Sequence, residues 1–137
     1  MATSTSIDGE PLDYAKAWAH RGIMFSDVPN MAYIFGYLRT SWTMRADLIC
    51  EFVVRLLKKM EAEGSQVVTP RLRDQDRQME PRPLITTDNF SAGYIQRKVH
   101  LLPRQGDKDP WIFNNDYHTE KDQIEGADFD DGTLVYS

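Results

Sequence analysis

Between Leu48 and Met60 the apolar residues recur in steps of three and four, at Leu48, Ile49, Phe52, Val53, Leu56, Leu57 and Met60. Steps of that size draw one stripe along a helix and predict a helix over residues 41–63. Ser41 or Thr40 is placed to cap its start, and Gly64 sits where a helix-ending residue belongs. Arg55, Lys58 and Lys59 lie near its C-terminal end, where positive charge is favoured. Cys50 and Val54 widen the stripe, so the helix is expected to be covered on more than one side. Cys50 then reads as a small buried hydrophobe.

The rest of the chain is less regular. Residues 1–13 read as an irregular lead-in with a breaker at Gly9–Pro11. A short apolar run, Gly22 to Phe25, is closed by Ser26-Asp27-Val28-Pro29-Asn30, which is turn chemistry. Met31 to Tyr37 is apolar throughout without alternation, the pattern of a strand buried on both faces. Residues 65–83 are polar and proline-flanked, and predict an exposed connector with a short helix in its middle. Ser91 to Leu102 predicts a second helix, capped by Ser91, with Tyr94, Ile95, Val99 and Leu102 as its stripe and Pro103 as its stop. Arg104 to Trp111 reads as a loop.

Charge changes the picture at the C-terminus. The chain carries −5 overall, yet Asn114 to Ser137 alone holds seven acids against Lys121. A segment of that kind is usually solvated and mobile, and an acidic interaction tail is the sharper reading. The acidic balance argues against a nucleic-acid partner. The single cysteine allows no internal disulfide. There is no apolar leader at the N-terminus, and charges break the longest apolar stretch, so no membrane span is expected and the predicted compartment is the cytoplasm.

No motif on this chain carries chemistry by itself. His20, His100 and His118 are far apart and lack partners at metal-ligand spacing. There is no GxSxG, no P-loop and no GxGxxG. One arrangement has functional meaning: a buried strand that ends at Gly36 and, a few residues later, a long helix that begins at Ser41-Trp42. A helix start offers free backbone N–H groups and positive partial charge, which suits an electron-rich oxygen of a cofactor. Gly36 would let such a ligand approach the backbone closely. An ordinary strand–loop–helix connection is the plainer reading of the same residues.

Two ordered blocks of sequence resemble a known family. The first comprises Asp8-Gly9-Glu10-Pro11, Arg21-Gly22-Ile23-Met24, Val28-Pro29-Asn30-Met31-Ala32 and Phe35-Gly36-Tyr37-Leu38-Arg39-Thr40-Ser41-Trp42-Thr43-Met44-Arg45-Ala46-Asp47-Leu48. The second comprises Asn89-Phe90-Ser91-Ala92-Gly93-Tyr94-Ile95-Gln96-Arg97, Leu102-Pro103-Arg104-Gln105-Gly106 and Pro110-Trp111. Together they resemble the last third of FAD-containing monooxygenases of the Baeyer–Villiger and flavin-containing group, the ethionamide-activating type above all. Leu38-Arg39-Thr40 departs from a more usual Thr-Asn-Ala, and Asp107-Lys108-Asp109 from a Ser-Arg-Ala-like run.

The resemblance implies a mixed α/β fold, a fragment of an FAD/NAD(P)-binding Rossmann-like domain over residues 14–113. It would hold one or two short strands, one long amphipathic helix and a second shorter helix; the irregular acidic tail over 114–137 is read from its charge, and beyond about Tyr117 the family suggests no counterpart for it. It implies FAD as cofactor and NADPH as cosubstrate, with O2 forming a peroxyflavin that oxygenates ketones or soft heteroatoms. It places Gly36, Tyr37, Ser41 and Trp42 beside the flavin, with no proton-transfer role for any of them. The family's two GxGxxG motifs, and an arginine that helps bind NADPH, precede the matched region, so this chain alone is expected to be inactive. Its expected partner is a flavin-binding N-terminal part of the same enzyme or a companion chain, with self-association as a further expectation. The competing reading is a non-catalytic interaction module that uses helix 41–63 and the acidic tail.

Overall fold

The computed structural model describes residues 4–38, 40–86 and 93–137. Its centre is helix α1, Trp42–Glu63, which follows the predicted stripe. Arg45, Leu48, Ile49, Phe52, Leu56 and Met60 are buried along one face. Gly64 ends the helix in the left-handed region, with φ at 70°. Its N–H and that of Ser65 fold back onto the carbonyls of Glu61 and Met60. Only one face is covered, however. Cys50, Val54 and Leu57 point to solvent, so the expected second cover and the buried cysteine are both corrected.

The cover for α1 comes from the acidic end of the chain, which is not an irregular tail. It forms α3, Tyr117–Glu125, and strand β8, Leu134–Tyr136. β8 pairs antiparallel with β5, Val68–Pro70, with Val68 opposite Tyr136 and Pro70 opposite Leu134. Ile124, Ala127, Phe129 and Leu134 join Leu48, Ile49, Phe52 and Leu56 in one cluster. The charge count concealed an apolar series, Tyr117, Ile124, Phe129, Leu134 and Tyr136, spaced widely among the acids. Most of those acids face water, while Asp116 caps α3 by accepting from the Thr119 N–H.

The N-terminal third is built from small antiparallel pairs. β1, Ser6–Ile7, pairs with β2, Glu10–Pro11, around Asp8 and Gly9, both at positive φ. The lead-in is therefore a hairpin, and Asp8-Gly9 is the turn dipeptide that signals one. β3, Ala19–His20, pairs with β4, Met24–Phe25. Farther along the chain, β6, Arg82–Pro83, pairs with β7, Arg104–Gln105, in place of the predicted loop at 104. Mixed α/β character with short strands is thus what the structure holds.

Three further expectations are corrected. Residues 31–37 form no strand among the described residues. Tyr33 and Ile34 keep 44% and 48% of their surface exposed, because no neighbouring strand covers either face. The 65–83 connector is not simply exposed: a 3-10 turn, Asp74–Asp76, lies in its middle as predicted, yet Val68, Thr69, Asp76 and Met79 are buried. The second helix, α2, is Gly93–Lys98, extended by a 3-10 turn over Val99–Leu101, and Tyr94 faces solvent. The proposed cap Ser91 lies outside the described residues.

Candidate functional site

Arg45 sits one turn before Leu48 on the buried face of α1 and has no exposed surface. A charge there requires compensation on every side. Its Nε donates to Glu120 Oε2 at 2.8 Å and one terminal nitrogen donates to Glu120 Oε1 at 3.2 Å, a forked pair reaching across to α3. The same guanidinium donates to the carbonyls of Arg21 at 2.8 Å, Gly22 at 3.3 Å and Phe35 at 2.7 Å. It lies 4.5 Å from the centre of the Phe113 ring. One side chain therefore fixes the β3–β4 turn, the 31–37 segment, α1 and α3 relative to one another. Sequence reasoning missed both Arg45 and Glu120. The available signal was a cation in register with an apolar stripe.

That lock positions the residues predicted to face a cofactor. Gly36 and Tyr37 are buried, whereas Ser41 and Trp42 are exposed at the start of α1. The Tyr37 ring packs edge-on against Tyr117 and lies 6.0 Å from the Arg45 guanidinium. Burial, and then the nearby Glu120 carboxylate, push its hydroxyl pKa above the usual tyrosine value. The hydroxyl has no hydrogen bond of good geometry, because Glu120 is directed at Arg45. The Leu38 N–H donates to Asn115 Oδ1 at 3.1 Å and holds the exit of this segment.

Gly36 serves a purpose other than ligand approach. A Cβ there would land inside the Trp42 indole, so glycine is required for the indole to lie across the backbone. Phe35 meets the same indole edge-on at 5.4 Å between ring centroids. Ser41 does not cap α1 through its side chain; its hydroxyl pairs with Thr43 Oγ1 at 2.8 Å. The first turn also carries no acidic residue. The first turn of this 22-residue helix therefore brings no carboxylate of its own to its positive end. Trp42 and Met44 in that first turn are 49% and 37% exposed, and Tyr33, 44% exposed, is linked to Trp42 through Phe35.

The other polar centres hold the fold together. Asp76 is fully buried. It accepts from Arg73 Nε at 2.8 Å and from Trp111 Nε1 at 3.1 Å, and Lys108 lies 3.3 Å away. Burial alone would raise its pKa, but these donors outweigh burial and hold the carboxyl well below the usual range. His20 is buried too, with Nε2 2.9 Å from Thr133 Oγ1. That hydroxyl donates its one proton to Asp131 at 2.6 Å, so Nε2 carries the ring proton and Nδ1 is left without a partner. Burial, then Arg21 and Arg73, lower the His20 pKa to about 3. His100 and His118 are exposed, and no group of metal-ligating side chains occurs among the described residues. No described helix is long and apolar enough to cross a membrane.

No family model matches the chain, and no solved structure matches it significantly. Curated proteins do. The protein named Probable FAD-binding monooxygenase AlmA of Acinetobacter baylyi is 40% identical over 131 residues, covering 96% of this chain and 26% of its own. FAD-containing monooxygenase EthA of Mycobacterium tuberculosis is 39% identical over 136 residues, 99% of this chain and 27% of its own. EthA of Mycolicibacterium smegmatis is 31% identical over 134 residues, 98% of this chain and 26% of its own. The matches include the acidic segment for which the sequence had suggested no counterpart. The chain is therefore a relative of the FAD-containing monooxygenases, matching over nearly its whole length about a quarter of theirs.

Proposed function

We propose that this chain is the C-terminal part of a flavin-dependent monooxygenase of the Baeyer–Villiger type, and that the start of α1 faces the flavin ring. The observation that carries the reading is the uncapped positive end of α1 beside exposed aromatic surface, in a chain whose relatives are named for FAD. When bound, FAD would supply the redox chemistry, with NADPH as reductant and O2 as oxidant, for oxygenation of ketones or soft heteroatoms. This chain's own task is narrower. The backbone at Ser41 and Trp42 offers donors and positive partial charge to the ring edge that gains electron density on reduction. Trp42 forms a wall, and Gly36 makes room for that wall. Tyr37 lies behind it and contributes through its backbone and packing. A partner supplies the remainder of a Rossmann-like FAD domain, either as the N-terminal part of the same enzyme or as a companion chain.

The module reading is weaker. It needs the apolar stripe of α1 for a partner, and residues 124–134 of the same chain already cover that stripe.

The test is a chimera in which this sequence replaces the matching quarter of AlmA. The expected product is yellow, holds FAD and consumes NADPH in the presence of a ketone or thioether. Trp42→Glu in that chimera is expected to weaken FAD retention and to make the flavin harder to reduce, since a carboxylate at the helix start opposes the added negative charge. A folded chimera without FAD, or a Trp42→Glu form with unchanged retention and potential, would sink the assignment.

A further inference from the structure

Five aromatic rings run in contact from the start of α1 to the 3-10 turn Tyr14–Lys16. Trp42 meets Phe35 at 5.4 Å between centroids, Phe35 meets Tyr33 at 6.0 Å, Tyr33 meets Phe25 at 6.0 Å, and Phe25 meets Tyr14 at 5.9 Å. The order alternates. Indole and phenol rings lose an electron at accessible potentials, whereas the two phenylalanine rings between them do not and act only as bridges. At the far end the Tyr14 hydroxyl donates to Thr5 Oγ1 at 3.3 Å and lies 3.9 Å from Met31 Sδ. Phe113 also meets Phe35, at 5.9 Å, but adds no oxidisable ring, and the Phe52–Phe129 and His20–Trp111 contacts share no ring with this row.

Core packing accounts for Phe25, which is buried. It does not account for Tyr33 and Trp42, which keep 44% and 49% of their surface in water. Leucine or methionine would fill such half-open positions equally well by burial alone. An accessible entry ring, a second oxidisable ring in the middle and a hydrogen-bonded phenol at the end are what single-electron transfer needs.

We propose that Trp42, Tyr33 and Tyr14, bridged by Phe35 and Phe25, form a path that carries one-electron oxidation away from the start of α1. This goes beyond the proposed function and does not rest on it, since any one-electron oxidant that meets Trp42 would engage the path, an oxygen-derived radical among them. The oxidant takes one electron from the Trp42 indole and is reduced, and the indole N–H proton passes to water. Tyr33 returns an electron to Trp42, which regains a proton from water, while the Tyr33 phenolic proton leaves to solvent. Tyr14 repeats the exchange with Tyr33, its proton leaving by way of the hydrogen bond to Thr5. A soluble thiol or ascorbate then restores Tyr14 by donating one electron with a proton.

The sole cysteine provides the test. Cys50 is exposed on α1, eight residues after Trp42, roughly 12 Å along the helix axis at about 1.5 Å per residue. A ruthenium polypyridyl complex attached there is excited by a laser flash and quenched with a cobalt(III) ammine to generate ruthenium(III). Transient absorption should show a tryptophan radical that decays as a tyrosyl radical grows, and the tyrosyl signal should be trapped for electron paramagnetic resonance. Trp42→Phe is expected to lose the tyrosyl signal, and Tyr33→Phe to leave the tryptophan radical long-lived. Near-ultraviolet circular dichroism checks that each variant is folded. If Trp42→Phe does not fold, the Tyr14→Phe/Tyr33→Phe double variant decides, because its tyrosyl signal should vanish. The proposal is overturned if the unaltered chain gives no tyrosyl signal, if the signal survives these substitutions, or if Tyr94→Phe removes it.

Discussion

Arg45 shows how one residue can serve several elements. It meets a carboxylate and three carbonyls without any contact with water. Removing either partner of such a pair is expected to cost about 3–5 kcal/mol. Arg45→Met should cost more than Glu120→Gln, because it leaves a carboxylate and three carbonyls unsatisfied, whereas Glu120→Gln keeps the carbonyl contacts. Urea melts of both variants would check the order, and equal losses would refute the bridging role. His20 gives a second prediction. Its pKa is about 3 in the folded chain against 6.5 for the free side chain. Over that window the unfolded chain binds the extra proton, so stability should fall as pH drops from 6.5 towards 3 and level off below it. His20→Gln, which keeps a donor for Thr133, should reduce that slope when melts are compared across the window. Neither residue's role was legible in the sequence. Each depends on partners 75 and 113 positions away, and nothing in local spacing points to them.

At the scale of the element, α1 is where sequence and structure agree best. A periodic stripe identifies a helix because the period belongs to the backbone itself, and Gly64 stops it because glycine occupies the left-handed region without a Cβ penalty. Gly64→Ala should therefore cost about 1–2 kcal/mol, the conformational penalty alone, since nothing lies within 4 Å of the added Cβ. Gly22→Ala should cost more. Gly22 shares a positive φ of 63°, and the new Cβ would sit 2.9 Å from an Arg45 guanidinium nitrogen and 3.0 Å from the Phe113 ring. Paired thermal melts would check the ranking. The 31–37 segment is the contrary case. Its composition predicts a strand, but a strand requires a ladder of backbone bonds; the Tyr33 N–H bonds the Ile23 carbonyl at 2.7 Å, and no strand pairing continues from it among the described residues.

For the whole molecule, the closing step is the return of the acidic segment onto α1. Burying each of Ile124, Phe129 and Leu134 contributes roughly 1.5–3 kcal/mol, so together they approach the whole stability of a domain, about 5–15 kcal/mol. A chain ending at Asp116 is accordingly expected to show no cooperative melt, as followed by calorimetry. The exposed surface at Tyr33, Ile34, Trp42 and Leu57 points the other way. It is expected to promote self-association as concentration rises, and Ile34→Lys with Leu57→Lys should reduce it in sedimentation velocity runs while leaving the melt unchanged.

The sequence by itself determined the long helix, its start and stop, the 3-10 turn inside the connector and the relationship to FAD-containing monooxygenases. Each of these rests on local periodicity, on turn chemistry or on ordered blocks of residues, which survive without knowledge of distant contacts. Only the tertiary structure decided that the acidic segment is part of the core, that Arg45 and Glu120 bind four segments together, and that Gly36 is shaped for the Trp42 indole. Those outcomes depend on which surfaces meet. A charge count cannot foretell that a few widely spaced apolar side chains will outweigh seven acids, most of which face water while Glu120 is buried against Arg45.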